Sequence, residues 1–319
     1  MASDRTLAAI RWLAVLLIVG AAATTASAQE QQAPPRQAPE AREGQSEANG
    51  EEQENIKDNS FLIEEAFNQE QGVVQHIFNW VPSWRRHGIR QNDFDFVFTQ
   101  EWPLGSQRHQ FSYTLPVQYT FQQAPGEPAF EGQGFGDVLL NYRYQALSGE
   151  FRGWWAAPRF SVILPTGDVG DRLGNDKVGY QMNLPFSKEF QRWAVHLNAG
   201  MTYMPGVTVG MDPVLFPLSG QDLRAYNLGA SAIYLLSKDF NLMCETVALW
   251  EEELLPDGNR DHTFQYLLNP GFRWAPFTEG ETQWVVGLGV PIGLTRDTPE
   301  WSLFLYMSFE HRCRKKREG

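Results

Sequence analysis

Between residues 72 and 310, apolar and aromatic side chains return at every second position in about twelve short runs. In FSYTLPVQYTF, the residues Phe111, Tyr113, Leu115, Val117, Tyr119 and Phe121 share one parity, while Gln110, Ser112, Thr114, Gln118 and Thr120 share the other. A period of two sends alternate side chains to opposite faces of an extended strand, whereas helical spacing would scatter them around the axis. Each strand therefore has one oily face and one wet face. A soluble β-sandwich or a lipocalin-like barrel also alternates, so the connections between the runs must decide.

The runs fall at 72–81, 91–102, 108–121, 135–147, 153–165, 177–187, 192–204, 222–236, 241–251, 262–274, 282–293 and 301–310. Long connections such as QQAPGEPAFEGQG and PTGDVGDRLGNDK alternate with short ones such as PLGSQ, SGEFR, SKEFQ and SKDF. Short turns at one end and longer loops at the other are the plan of an outer-membrane barrel. Tryptophans mark both ends. Trp102, Trp154, Trp155, Trp193, Trp274 and Trp284 flank short turns, and Trp80, Trp84, Trp250 and Trp301 lie near long ones, as two interfacial girdles require. The expected fold is all-β: a closed antiparallel transmembrane β-barrel of about 12 strands with a disordered N-terminal leader. Pro116, Pro158, Pro185, Pro270 and Pro291 fall inside the runs, where each removes a ladder donor, so bulges or kinks are expected there.

The ends of the chain read differently. Residues 1–28 carry Arg5 and Arg11, an apolar core and Ala26-Ser27-Ala28, the pattern of a secretory signal peptide. Residues 29–60 form an acidic leader too poor in large apolar side chains to offset the entropy of ordering. Residues 61–71 are expected as a short helix or a plug, residues 72–310 as the barrel, and residues 311–319 as a basic periplasmic tail. Cys244 and Cys313 define neither a disulfide framework nor a metal spacing.

GQGFGDVLLNYRYQ, PRFSVILPTGD and LPFSKEFQRWAVHLNAGMTY resemble the outer-membrane transporter family named after the meta-pathway of phenol degradation. The resemblance rests on Gly134, Gly136 and Asp137, on Leu164 to Asp168, and on the repeated Ser-Lys-x-Phe turns at 187–190 and 237–240. It spans roughly residues 90–310. It implies an outer-membrane barrel for uptake of small, often aromatic, compounds and names no site residues. The basic tail departs from the terminal aromatic usual in such barrels.

On the inward rows, Arg143, Arg159, Arg273, Asp95, Asp137 and Glu245 are the candidates for a lumen constriction of opposed charges. Arg143 and Arg159 should face one another across a hairpin, and two such cations call for carboxylates or a passing anion. A structural network bracing the wall is the plainer reading. No His-x-Ser arrangement lies on an outward row, as a barrel lipase would need, so an enzyme is not expected; no cofactor or metal site is read either. Excess acid, 38 Asp and Glu against 26 Lys and Arg, disfavours nucleic acid. The expected partners are the lipid bilayer and surface glycolipid, the secretion and barrel-assembly machinery, and a small-molecule solute, with the protein a monomer in the outer membrane of a Gram-negative-type bacterium. The function read is passage or binding of small, aromatic or hydrophobic solutes; the alternative is a closed-lumen barrel that anchors partners at the cell surface.

Overall fold

The computed structural model describes Ile56 and residues 60–86, 89–208, 220–254, 259–279 and 282–313. The expected signal peptide, most of the leader and residues 314–319 lie outside the described residues. Three continuous staves come first: β1 (Val73–Arg85), β2 (Arg90–Leu104) and β3 (Ser106–Gln123). The fourth stave is split into β4 (Phe130–Phe135), β5 (Val138–Tyr144) and β6 (Leu147–Phe151), the fifth into β7 (Trp154–Ala156) and β8 (Arg159–Leu164), and the sixth into β9 (Gly179–Asn183) and β10 (Phe186–Glu189). Next come β11 (Trp193–Val207), β12 (Gln221–Ser237), β13 (Phe240–Leu254) and β14 (Arg260–Glu279). The last two staves are β15 (Thr282–Gly289) with β16 (Ile292–Gly293), and β17 (Trp301–Ser302) with β18 (Phe304–Arg312). The final strand thus takes in His311 and Arg312, two residues expected in the tail.

Sequential staves pair antiparallel, and the sheet closes where Val73 meets Arg312 and Trp84 meets Trp301. Closure gives each stave a hydrogen-bonded neighbour on both sides among the described residues, the condition for β-structure to cross a bilayer. The breaks follow the prolines. Pro158, Pro185 and Pro291 stand between β7 and β8, β9 and β10, and β15 and β16. Pro116 and Pro270 stay within β3 and β14, and the interruption falls on the neighbouring stave instead. Gly136, between β4 and β5, donates to the Pro116 carbonyl at 2.9 Å, and Val290 donates to the Pro270 carbonyl at 3.0 Å. A ring with no N–H bends whichever partner has to make do without it.

Outward rows hold Phe96, Tyr142, Phe160, Tyr180, Met182, Leu228 and Leu268, all exposed on the outer surface. The girdles are visible. Trp84 stacks on Trp301 at 4.2 Å and Trp250 on Phe264 at 5.2 Å near the long loops, while Trp102 meets Phe111, Trp193 meets Tyr234 and Trp284 meets Phe309 near the short turns. Trp155 is a correction to the girdle: Trp154 faces out beneath Lys188, so its successor must face in, and its ring meets Phe67 inside the barrel at 5.1 Å.

Candidate functional site

Residues 60–71 form no helix; they run as an extended strap across the lumen, in the half of the barrel nearest the short turns. Phe61 enters a slot where β14 and β15 carry glycine. A methyl group on Gly287 would lie 2.4 Å from the Phe61 ring, and ones on Gly271 and Gly289 would lie 2.9 and 3.0 Å from it. The ring stacks on Phe304 at 5.3 Å, within an apolar cluster of Ile56, Ile77, Ile233, Val285 and Tyr306.

Beyond Phe61 the strap is held by every second backbone N–H. Leu62 donates to Glu245 Oε1 at 3.0 Å, Glu64 to Asn198 Oδ1 at 3.0 Å, Ala66 to Ser187 Oγ at 2.8 Å, and Asn68 to Gln145 Oε1 at 2.9 Å. Asn198 and Gln145 also donate back to the carbonyls of Glu64 and Ala66, at 2.8 and 2.7 Å. Side-chain amides on the wall thus imitate the ladder an adjacent strand would supply, and buried backbone groups stay satisfied.

The candidate residues divide into two groups. Arg143 and Arg159 stand directly opposite one another on β5 and β8. Arg143 donates to Asn68 Oδ1 at 2.8 Å and to the carbonyls of Glu65 and Phe67 at 3.2 and 2.6 Å, with Glu101 at 3.8 Å. Arg159 pairs with Glu64 at 2.5 Å, and Arg273 with Glu65 at 3.1 Å. Glu245 takes the Leu62 N–H and Asn269 Nδ2, the latter at 2.7 Å. These four meet the strap rather than each other. Asp95 and Asp137 stand apart, towards the long loops.

Asp95 accepts Gln118 Nε2 at 3.1 Å beside a cavity of about 30 Å³ shared with Asp93, Thr120 and Arg172. Asp137 is a fastener. It accepts Gly167 N–H at 2.9 Å and Asn175 N–H at 3.2 Å, while Thr166 Oγ1 donates to the Gly136 carbonyl at 2.8 Å. The Gly-x-Gly-Asp and Leu-Pro-Thr-Gly-Asp motifs therefore pin loop 165–178 inward over the mouth, and Leu173 is buried. Only glycine suits Gly132, where a Cβ would lie 2.2 Å from the Asp171 carbonyl oxygen. Arg172 on this loop lies 3.8 Å over the Phe130 ring, and burial moves its guanidinium pKa below the usual arginine range.

One constellation escaped the sequence reading. Ser187 and His196 are register partners across the 190–192 turn, with Ser187 Oγ 2.8 Å from His196 Nδ1, and Glu65 lies 3.6 Å from Nε2. The parity rule applied to that short hairpin would have paired them. All three are buried, and Ser187 Oγ already accepts the Ala66 N–H. The hydroxyl holds the strap through this bond, so the set forms part of the strap's seat.

Between strap and loop the lumen changes character. Leu139, Ile163, Met204, Val207, Leu223 and Leu254 form a buried apolar cluster on the inward faces of staves four to nine. A cavity of about 20 Å³ lies against Met204 and Leu223 and is also bounded by Thr202 and Glu251. It has room for about one water molecule.

A closed barrel with an apolar outer belt, aromatic girdles and a polar, strapped lumen is a transmembrane β-barrel of the outer-membrane type. Among solved structures, an outer membrane channel from Pseudomonas putida F1 superposes with a TM-score of 0.57 at 13% identity, over 77% of this chain and 97% of that one. The transport unit of the autotransporter AIDA-I from Escherichia coli gives 0.48 at 9% identity, over 76% and 91%, and the β domain of the Bordetella autotransporter BrkA gives 0.46 at 10%, over 76% and 100%. No protein-family model matches the sequence, and no curated protein matches it either.

Proposed function

We propose that this chain is an outer-membrane channel for small apolar solutes, aromatic ones included, held shut by its own strap. The observation that carries this reading is the apolar cluster around Met204 and Leu223, placed inside a lumen that is otherwise polar. A wall braced only for stability would favour hydrogen-bonding pairs there, as it does lower down. A water-filled pore would not retain six apolar side chains at its mouth. The resemblance to the phenol meta-pathway transporters is consistent with an aromatic cargo. The two cavities bounded by described residues, about 20 and 30 Å³, are too small for such a cargo, so its passage there requires strap or loop to move.

The test is binding of a fluorescent apolar probe, 1-N-phenylnaphthylamine, to detergent-refolded protein and to its Leu223→Asp variant. Saturable binding that the variant loses supports the reading; equal binding by both rejects it. A second reading, an anchoring barrel with a permanently closed lumen, draws on the many wall contacts of the strap. Planar-bilayer recordings with and without residues 29–71 separate the two. Discrete conductance steps after deletion fit a channel, and silence in both forms fits an anchor.

A further inference from the structure

The strap places carboxylates against cations that face a lumen adjoining an apolar wall, an arrangement with the shape of a competitive pseudo-ligand. Glu64 is the clearest case. Its Oε1 lies 2.5 Å from Arg159 Nε, its other oxygen takes Asn183 Nδ2, and its side chain keeps 12% of its surface exposed. Arg159 is fixed from behind: NH1 donates to Asn141 Oδ1 at 3.0 Å and to Ser161 Oγ, and NH2 donates to Gln181 Oε1 at 2.8 Å. The guanidinium is therefore held in place by the wall whether or not Glu64 is seated, and Arg143 stands opposite it in register.

The same wall leads directly into the apolar cluster. Ile163 follows Ser161 on the inward row of β8, as Leu139 precedes Asn141 on that of β5. Gln181 continues the chain of contacts by donating to Thr202 Oγ1 at 3.0 Å, and Thr202 borders the cavity against Met204 and Leu223. A fixed guanidinium thus lies at the foot of an apolar patch. An apolar body ending in a carboxylate matches both halves, with its head in the place of Glu64 and its body on Ile163, Met204 and Leu223.

We infer that Arg159 and its amide neighbours form a carboxylate subsite for small apolar acids, occupied by Glu64 in the closed state. This rests on the channel reading and narrows its substrate class. An arriving acid competes with Glu64, so binding and strap release are the same event at this position. A neutral molecule of equal size has no such claim on Arg159, because only an anion offers the guanidinium what Glu64 already provides.

The experiment is calorimetric titration of benzoate, with benzyl alcohol as the neutral counterpart, into full-length refolded protein. Glu64→Gln removes the competitor, so benzoate should bind roughly tenfold or more tightly than to the parent chain, as expected when a self-occupied site is vacated. Arg159→Gln should lose benzoate binding and leave benzyl alcohol unaffected. Arg159→Lys, which keeps the charge, should retain weakened binding and guards against a folding defect; heat-modifiability on gels checks the barrel in each variant. Benzoate affinity unchanged in Glu64→Gln, or binding that survives Arg159→Gln, would overturn the subsite. Loss of the subsite with intact binding of 1-N-phenylnaphthylamine leaves the channel reading in place. Benzoate binding without conductance in any form leaves the subsite and removes the channel.

Discussion

Replacing Arg143 by Met should unseat the strap without opening the wall. The side chain of Arg143 is almost wholly buried and donates to three acceptors that all belong to the strap: Asn68 Oδ1, Glu65 O and Phe67 O. Methionine fills much of the space and donates nothing. Asn68 Oδ1 and both carbonyls lose this donor, because the Asn68 contact that survives, at the Gln107 carbonyl, is made by its nitrogen. A buried acceptor left without a donor costs about 1–3 kcal/mol, and water reaching the released strap recovers much of that, so the three together come to about 2–4 kcal/mol. At about 1.4 kcal/mol per factor of ten, the released population should rise by roughly 30- to 1,000-fold. No β-ladder bond involves this side chain, so the heat-modifiability of the barrel should change little. The assay is limited proteolysis of refolded protein, with cleavage mapped to residues 60–71, alongside planar-bilayer recording of opening events. Cleavage and conductance equal to the parent's, in a folded Arg143→Met barrel, would refute the claim that this arginine holds the strap in its seat.

Cysteines placed at Glu127 and Gly170 should label from outside intact cells, whereas ones at Glu150 and Gln191 should not, because the first pair sits in long connections and the second at short turns; labelling of both pairs alike would contradict the topology. Leu115→Arg puts a cation on the outward row of β3 and should cost about 2–4 kcal/mol in a folding titration if it lies near the bilayer midplane. Gln118→Arg, which faces Asp93 and Asp95 on the lumen side, should cost much less; the reverse order would mean that the faces are misassigned. Asp137→Ala removes a carboxylate that holds two backbone N–H groups of loop 165–178 and should loosen the loop by about 2–4 kcal/mol, seen as faster proteolysis at residues 168–172. An unchanged cleavage rate would show that the loop is held without Asp137, by the Thr166, Arg172 and Leu173 contacts.

Stave number, the inward and outward rows and the alternation of turns were legible because a period of two is written into each strand separately. Register across a short turn is most readable where the turn is regular: Arg143 opposite Arg159 is expected from a turn at 148–152 centred near Phe151 and holds with a bulge between Ser148 and Phe151, while Ser187 opposite His196 was available from the regular 190–192 turn. The partners of those arginines were not. Glu64 and Glu65 belong to FLIEEAFNQE, which has no clean period, and adjacent residues of an extended chain point opposite ways, so each carboxylate finds a different arginine more than 90 residues along the chain. Pro116 and Pro270 misled locally, since the strain of a missing N–H was relieved by the neighbouring stave. Asp137 looked like a lumen charge because parity places it inward; only the return of loop 165–178 reveals what it holds.

The strap leads into β1 through Gln71 and Gly72 alone. Once unseated it cannot diffuse away, and its seat sees it at an effective concentration in the millimolar range, typical of short flexible tethers. Reseating is therefore first order and independent of how much protein the membrane holds. A solute that displaces the strap must compete with a ligand that is never diluted, so each opening ends by itself when the solute leaves. On the proposed channel reading, the barrier would reclose behind the cargo with no second signal and no energy source. A pore of the proposed kind would spend its life shut and leak least when its solute is scarce.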